Sequence, residues 1–326
     1  MERTRAFTVN DNWLIEFARK KLDCAGREDE VVEITEWRNS TIYKLNSDSK
    51  TKIVKLHKFG NFENLQRWSD ELSLLRRGLQ GMESSPKIPT VLALNEKPLA
   101  SAMEFIEGQP GATWLYDKIV NRDWGSETQN IMKSWGRALA CFHRASLSNE
   151  DFDSSLRIRA ETRYLSLWKR FRFPLRLFST LRTKLIPCRL HNDVGFHNVI
   201  IQRDGRLAFI DFFEKDLAGS IHEDVAHVIT WLNDAYRDCG RFKRSSARRI
   251  LTQAFLAGYE DESNIKFNSR GHRELILFFQ LYSNLNWVMV ASRRKHYTQV
   301  LDCAVRSGES LARLTTSFYR LERMTP

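Results

Sequence analysis

The chain has 326 residues, 42% apolar and 11% aromatic, which is enough to bury one large or two ordinary cores and too apolar for a disordered, collagenous or coiled-coil protein. Its formal charge of +11, from 51 Lys and Arg against 40 Asp and Glu, points to an anionic partner, while no run approaches the roughly 18 uninterrupted apolar residues of a membrane span. Five cysteines without C-x-x-C spacing argue against a disulfide framework or a zinc site, and the start MERTRAFTVNDNW lacks a signal peptide's apolar core, so a cytoplasmic, soluble protein is expected.

Asn10 or Asp11 is placed to cap a short helix with Trp13, Leu14, Phe17 and Leu22 on one face. Then the period changes. VVEITEW, TIYKLN and KIVKLHK are short runs rich in β-branched and aromatic residues, broken by polar turns, and predict an antiparallel meander. ENLQRWSDELSLLRRGL carries Leu65, Trp68, Leu72 and Leu75 at helical steps, and PTVLAL and LASAMEF, joined at Asn95-Glu96, predict two further strands. Gly108-Gln109-Pro110-Gly111 concentrates turn-forming residues where the strand signals stop. This divides the chain into residues 1–107 and 108–326. The second part reads as helical except for VIIQRDGRLAFID, where two apolar runs flank the tight-turn signal Arg203-Asp204-Gly205.

The charge is uneven. Residues 1–107 carry 17 basic and 17 acidic side chains, residues 154–190 carry 10 and 1, residues 191–231 carry 3 and 7, and residues 232–326 carry 16 and 9. An acidic strip between two basic flanks is the place to look for a metal.

That strip contains HNDVGFHNVIIQRDGRLAFIDFFEKD, from His191 to Asp216. The hairpin within it returns Asp211 beside Asn198, since paired strands lie about 4.8 Å apart. An amide oxygen and a carboxylate meeting there are hard ligands of the kind Mg²⁺ takes beside phosphates. Asp193, five residues before Asn198, adds a carboxylate able to orient a hydroxyl and accept its proton. The bland alternative is that all three are polar residues capping loop and hairpin ends.

HNDVGFHN followed by IDF resembles the H-x-D-x-x-x-x-N and I-D-[FW] signatures of the aminoglycoside phosphotransferase and choline kinase family. The resemblance extends over most of the chain. KIVKL with Lys55, SDELSLL with Glu71, MEFIEG from Met103, GRALACFHRA from Gly136 and GSIHEDVAH from Gly219 are similar to successive family elements in the right order. It implies an α+β, bilobal protein-kinase-like fold, with a small antiparallel β-sheet N-lobe carrying one main helix and a larger, mostly helical C-lobe carrying the catalytic hairpin. It implies an ATP- and Mg²⁺-dependent kinase, with GTP as the alternative nucleotide, acting on a hydroxyl of a small molecule such as a sugar, glycan precursor, amino alcohol or aminoglycoside. Asp193 would be the base, Asn198 and Asp211 the metal ligands, Lys55 the phosphate anchor and Glu71 its partner. Glu104 and Ile106 would offer backbone groups to adenine.

This chain departs from the pattern in two places. The loop Trp37-Arg38-Asn39-Ser40-Thr41 lacks the glycines of a protein-kinase phosphate loop, so Asn39, Ser40 and Thr41 are expected to touch phosphates through side chains. Asn192 stands where the family most often has Gly. Lys55 and Glu71 also read as an exposed strand lysine and a solvated helix glutamate, and His191 and His143 as structural braces. Asp224 reads as a cap or brace for the apolar helical run that follows it.

The basic segment from Leu156 to Leu185 reads either as a solvated helix face or as a surface for an anionic acceptor or an anionic membrane. Nucleic acid is not expected, because no reading motif accompanies the charge. The basic flanks favour a neutral or anionic acceptor over a polycation. Two other readings remain: a catalytically silent kinase-like binding protein, and an atypical protein kinase, against which stand Ile-Asp-Phe in place of Asp-Phe-Gly and the lack of an Ala-Pro-Glu segment. The sequence does not set the oligomeric state.

Overall fold

A computed structural model describes residues 12–22, 31–36, 40–46, 51–146, 150–170, 175–212, 218–238, 245–293 and 297–322. Two compact units divide the chain, one formed by Met1–Gly78 and Lys87–Gly108, the other by Leu79–Pro86 and Gln109–Pro326.

The first unit holds α1 (Asn12–Leu22), β1 (Val31–Glu36), β2 (Ser40–Leu45), β3 (Lys52–His57), α2 (Phe62–Leu79), β4 (Val91–Asn95) and β5 (Ala100–Glu104). The strands form one antiparallel sheet in the order β1-β2-β3-β5-β4. Leu14, Phe17 and Leu22 of α1 pack against Tyr43, Leu45, Val54 and Ala102 of the sheet. Burying side chains of this size stabilises by about 1.5–3 kcal/mol each. The Lys52 ammonium donates to the Leu22 carbonyl, placing a cation at the α1 C-terminus where the helix dipole favours it. The apolar stripe of α2 is buried at Leu65, Trp68, Leu72 and Leu75.

The second unit runs β6 (Gln109–Pro110), α3 (Gly111–Asn121), α4 (Ser126–Ala145), α5 (Glu150–Arg170), α6 (Leu175–Arg182), β7 (Pro187–Arg189), β8 (Val199–Ile201), β9 (Leu207–Phe209), β10 (Ala218–Ser220), α7 (Ile221–Asp238), α8 (Ser245–Ser263), α9 (His272–Arg293) and α10 (Tyr297–Glu322). A one-turn 3-10 helix, Phe196–Asn198, precedes β8. Helices α4 and α8 meet backbone to backbone: a Cβ on Gly136 would stand 2.0 Å from the Phe255 carbonyl oxygen, and one on Gly258 would stand 1.9 Å from that of Lys133. Only glycine fits either position. The turn-forming segment at 108–111 is more than a linker, because Gln109 and Pro110 pair with Ile201 and Ile200 and widen the predicted hairpin to three strands. The pairing of β7 with β10 has no counterpart in the sequence reading; three residues on each side are too few to show a period of two.

Candidate active site

Strands β8 and β9 pair Val199 with Phe209, and the Ile210 N–H donates to the Asn198 carbonyl at 3.0 Å. The hairpin thus ends with Asn198 on one side and Asp211 one residue beyond the last bond on the other. Asp211 is exposed and takes a left-handed backbone, φ 56°, which Asp tolerates better than most residues because its short side chain bonds locally. Asn198 is buried, fixed by a one-turn helix whose Phe196 sits 4.3 Å from the Trp135 ring, centroid to centroid.

The Asn198 amide donates through Nδ2 to the Asp193 carbonyl at 2.9 Å and to Oδ2 of its carboxylate at 3.1 Å. This commits the nitrogen and leaves Oδ1 as the group the amide can offer a cation. Oxygen from Asn198 with carboxylate from Asp211 is a donor set that suits Mg²⁺, whose remaining positions are ordinarily filled by phosphate oxygens and water. Among the described residues no group of three or more His, Cys, Asp or Glu is arranged to hold a metal by protein ligands alone.

Asp193 is half-exposed, and its Oδ1 faces two imidazoles, Nε2 of His197 at 3.3 Å and Nε2 of His227 at 3.6 Å. Burial pushes the Asp193 carboxyl up, but the two imidazoles outweigh it and hold the group well below the usual carboxylate range. His227 is affected by the same contact in the opposite direction. Burial lowers it, yet the Asp193 carboxylate, followed by Asp224 and Asp234, brings it above its ordinary value. Gly195 makes room for this arrangement: a Cβ there would stand 2.4 Å from the His197 ring and 2.9 Å from Trp231 Cδ1.

Beneath the loop lies Asp224, 1% exposed. Its carboxylate accepts from the backbone N–H of His191 at 2.7 Å and of Asn192 at 3.0 Å, and from Nε2 of His143 at 3.1 Å. Because a carboxylate only accepts, His143 carries a proton on Nε2, and its Nδ1 pairs with the Tyr259 hydroxyl at 2.7 Å. Burial raises Asp224, but His143 and then His191 bring it below its ordinary value and keep it ionised. Asn192, φ 66°, occupies the left-handed region that Gly enters freely and Asn tolerates, which accounts for the Asn in this position. Nε2 of His191 donates to the Ile210 carbonyl at 3.1 Å, fastening the loop to the far side of the hairpin, and burial lowers its pKa.

In the first unit, Lys55 sits on β3 between Ile42 and Ser101, part-exposed on the face opposite buried Val54, and Glu71 is part-exposed on α2. Ser40 and Thr41 begin β2, buried and paired with His57 and Leu56, so they are strand residues and not part of an open loop; Asn39 lies outside the described residues. The Glu104 carboxylate binds the Lys87 ammonium at 2.6 Å and the Thr90 hydroxyl at 3.1 Å, and its N–H donates to the Thr90 carbonyl, leaving its own carbonyl as the backbone group for a ligand. Ile106 is buried, and among the described residues no hydrogen bond engages its backbone. In the basic segment, Arg157 and Arg182 both pair with Glu161, and Arg163 pairs with Glu223. That stretch presents less free positive charge than its composition implies.

The sequence reading did not single out His197, His227 or Tyr259. A signal for His227 was present in its place one helical turn after Asp224 on the same helix; nothing local marks Tyr259.

A sheet-bearing unit and a helical unit with a hairpin-borne Asp, Asn and Asp define a protein-kinase-like phosphotransferase fold. The chain belongs to the phosphotransferase enzyme family, whose model matches residues 30–263, and it is a phosphotransferase. It is similar in structure to the ternary complex of APH(2″)-IIa with streptomycin and ATP, at 15% identity and TM-score 0.52 over 91% of this chain and 97% of that one. A glucosamine kinase matches at 15% identity and TM-score 0.51, covering 94% and 81%. An ethanolamine kinase of Plasmodium vivax matches at 15% and 0.50, covering 89% and 83%. No curated protein matches the sequence.

Proposed function

We propose that the chain transfers the γ-phosphate of ATP, with Mg²⁺, to a hydroxyl group of a small neutral or anionic acceptor such as a sugar, glycan precursor or amino alcohol, in the cytoplasm. The observation that carries this is the meeting of Asn198 and Asp211 at the hairpin end with Asp193 hydrogen-bonded to Asn198. The similar structures include complexes with ATP and with glucosamine, ADP and phosphate, which supports a nucleotide and a hydroxyl acceptor.

In this reading residues 1–107 form the nucleotide-binding lobe and 108–326 the catalytic one. Lys55 holds the α and β phosphates with Glu71 orienting it, and the Glu104 carbonyl and Ile106 backbone meet adenine. Asn198 and Asp211 hold the metal, which when bound neutralises charge on the phosphate oxygens. Asp193 orients the acceptor hydroxyl and takes its proton. In a loose transition state the proton leaves late, so positioning of the hydroxyl by Asp193 dominates over its basicity.

A thermal-shift titration with ATP and GTP, with and without Mg²⁺, on wild type and Asp211→Ala tests the reading. Nucleotide at about 100 times its Kd stabilises by about 2.7 kcal/mol, a shift that should need Mg²⁺ and shrink in the variant. A folded sample that responds to neither nucleotide sinks the proposal in favour of a silent binding protein. A coupled ADP-release screen over sugars, amino alcohols and aminoglycosides then identifies the acceptor.

A further inference from the structure

The base of the proposed reaction has an unusual set of neighbours. A carboxylate offers about four lone-pair sites. Oδ2 of Asp193 accepts from the Asn198 amide at 3.1 Å, while Oδ1 faces the imidazoles of His197 and His227 at 3.3 and 3.6 Å. Oδ2 thus accepts one hydrogen bond and keeps a lone-pair site for a hydroxyl, while Oδ1 stands at ion-pair distance from both imidazoles.

The two imidazoles reach the carboxylate from different supports. His197 belongs to the same one-turn helix as Asn198, and its ring is held between Gly195 and Trp231, the ring centroids of His197 and Trp231 standing 6.0 Å apart. His227 comes from α7, the helix whose Asp224 holds the backbone of His191 and Asn192 from below. One helix thus grips the catalytic loop twice, by its backbone through Asp224 and by its reacting side chain through His227. The spacing of three residues puts both groups on neighbouring turns of one face.

We propose that His227 is a positioning residue for phosphoryl transfer: its Nε2 fixes Oδ1 of Asp193, so that Oδ2 presents its open lone pair to the acceptor hydroxyl. This rests on the reading of Asp193 as the base. His227 acts through Asp193 and not on the acceptor itself, so its loss should lower kcat and leave the acceptor KM unchanged.

The test is a double-mutant cycle in the full chain, with MgATP and the acceptor of highest turnover in the screen, or water as acceptor where none exceeds it, read by ADP release. His227→Leu should lower kcat by about tenfold to a hundredfold, the scale of a misplaced reacting group, with KM within about twofold and the thermal midpoint close to wild type. His227→Gln keeps an N–H donor and should recover most of the loss. In an Asp193→Asn background, His227→Leu should cost nothing further.

An unchanged kcat in a folded His227→Leu protein overturns the proposal. So does a raised KM at constant kcat, which would make His227 an acceptor contact, and so does a full additional loss in the Asp193→Asn background. Asp193→Asn with wild-type kcat would instead remove the base assignment on which the inference stands, an outcome the single variant reports by itself. If His227→Leu fails to fold, imidazole NMR decides: His227 should protonate at higher pH in wild type than in Asp193→Asn, and equal titration in the two overturns the contact.

Discussion

Asp224 and Asp193 are the two carboxylates of the same loop region, one meeting its backbone and the other standing on it. Asp224 is 1% exposed and accepts from two backbone amides and a buried histidine, whereas the Asp193 side chain is 40% exposed and is met by side chains alone. Both carboxyls lie below their ordinary range, because in each case hydrogen-bonding and charged partners outweigh burial. The difference lies in what they fix. Asp224 fixes the path of the chain, including the left-handed Asn192, and belongs to the floor of the site. Asp193 orients only a neighbouring side chain, the Asn198 amide, and belongs to the rim, where chemistry needs access. Removing a floor group should therefore cost stability, and removing a rim group should cost rate.

The largest effect should fall on the rim. Asp211→Ala should lower kcat more than Asp193→Asn, because neutralising charge matters more than proton removal in a loose transition state. Asp193→Asn itself should cost between about 10² and 10⁴ in rate. Steady-state kinetics on both variants decides; the reverse order contradicts the assignment of Asp211 to the metal and Asp193 to the base. Neither should shift the unfolding midpoint much.

Next comes the floor. Asp224→Ala strands two backbone amides and His143, and breaking a buried pair of this kind costs about 3–5 kcal/mol. Urea unfolding should show that loss; a midpoint within about 0.5 kcal/mol of wild type would mean the floor is not what holds the loop.

The smallest effect is a pH dependence with opposite signs in the two regions. His222, buried in the floor at the start of α7 and bonded to Ser220 and His272, is held well below its usual pKa by burial first and then by His272 and His143. Its folded value lies below the unfolded one of about 6.5, so its contribution is complete above pH 6.5 and is lost as pH falls below it. His227 on the rim is raised, so its contribution is complete below about 6.5 and is lost as pH rises through its folded value. Stability measured at pH 7.5 and 5.5 should drop on acidification, and His222→Gln should flatten that drop; an unchanged slope would remove His222 as its source.

Much of this was legible along the chain because it is local. Short β-branched runs and the Leu65 to Leu75 spacing predict elements that need only neighbours to declare them, and Arg203-Asp204-Gly205 predicts the hairpin turn, where Gly205 adopts φ 79°. Ser40 and Thr41 mark the limit of that reading. The resemblance put both in the phosphate loop, but pairing with β3 makes them strand, since the sheet ladder outweighs their weak local preference for turns.

The sequence by itself determined that Asn198 and Asp211 would meet, thirteen residues apart across one hairpin, because a tight turn leaves the chain no other course. Only the tertiary structure decided what stands around them. Asp224 reaches His191 across 33 residues, His227 reaches Asp193 across 34, and Tyr259 reaches His143 across 116. Those contacts depend on where α7 and α8 pack, and α8 lies against α4 only because glycine at 136 and 258 lets two backbones touch. Helix period shows which face is buried and not which helix buries it, so partners brought together by packing leave no spacing in the sequence to read.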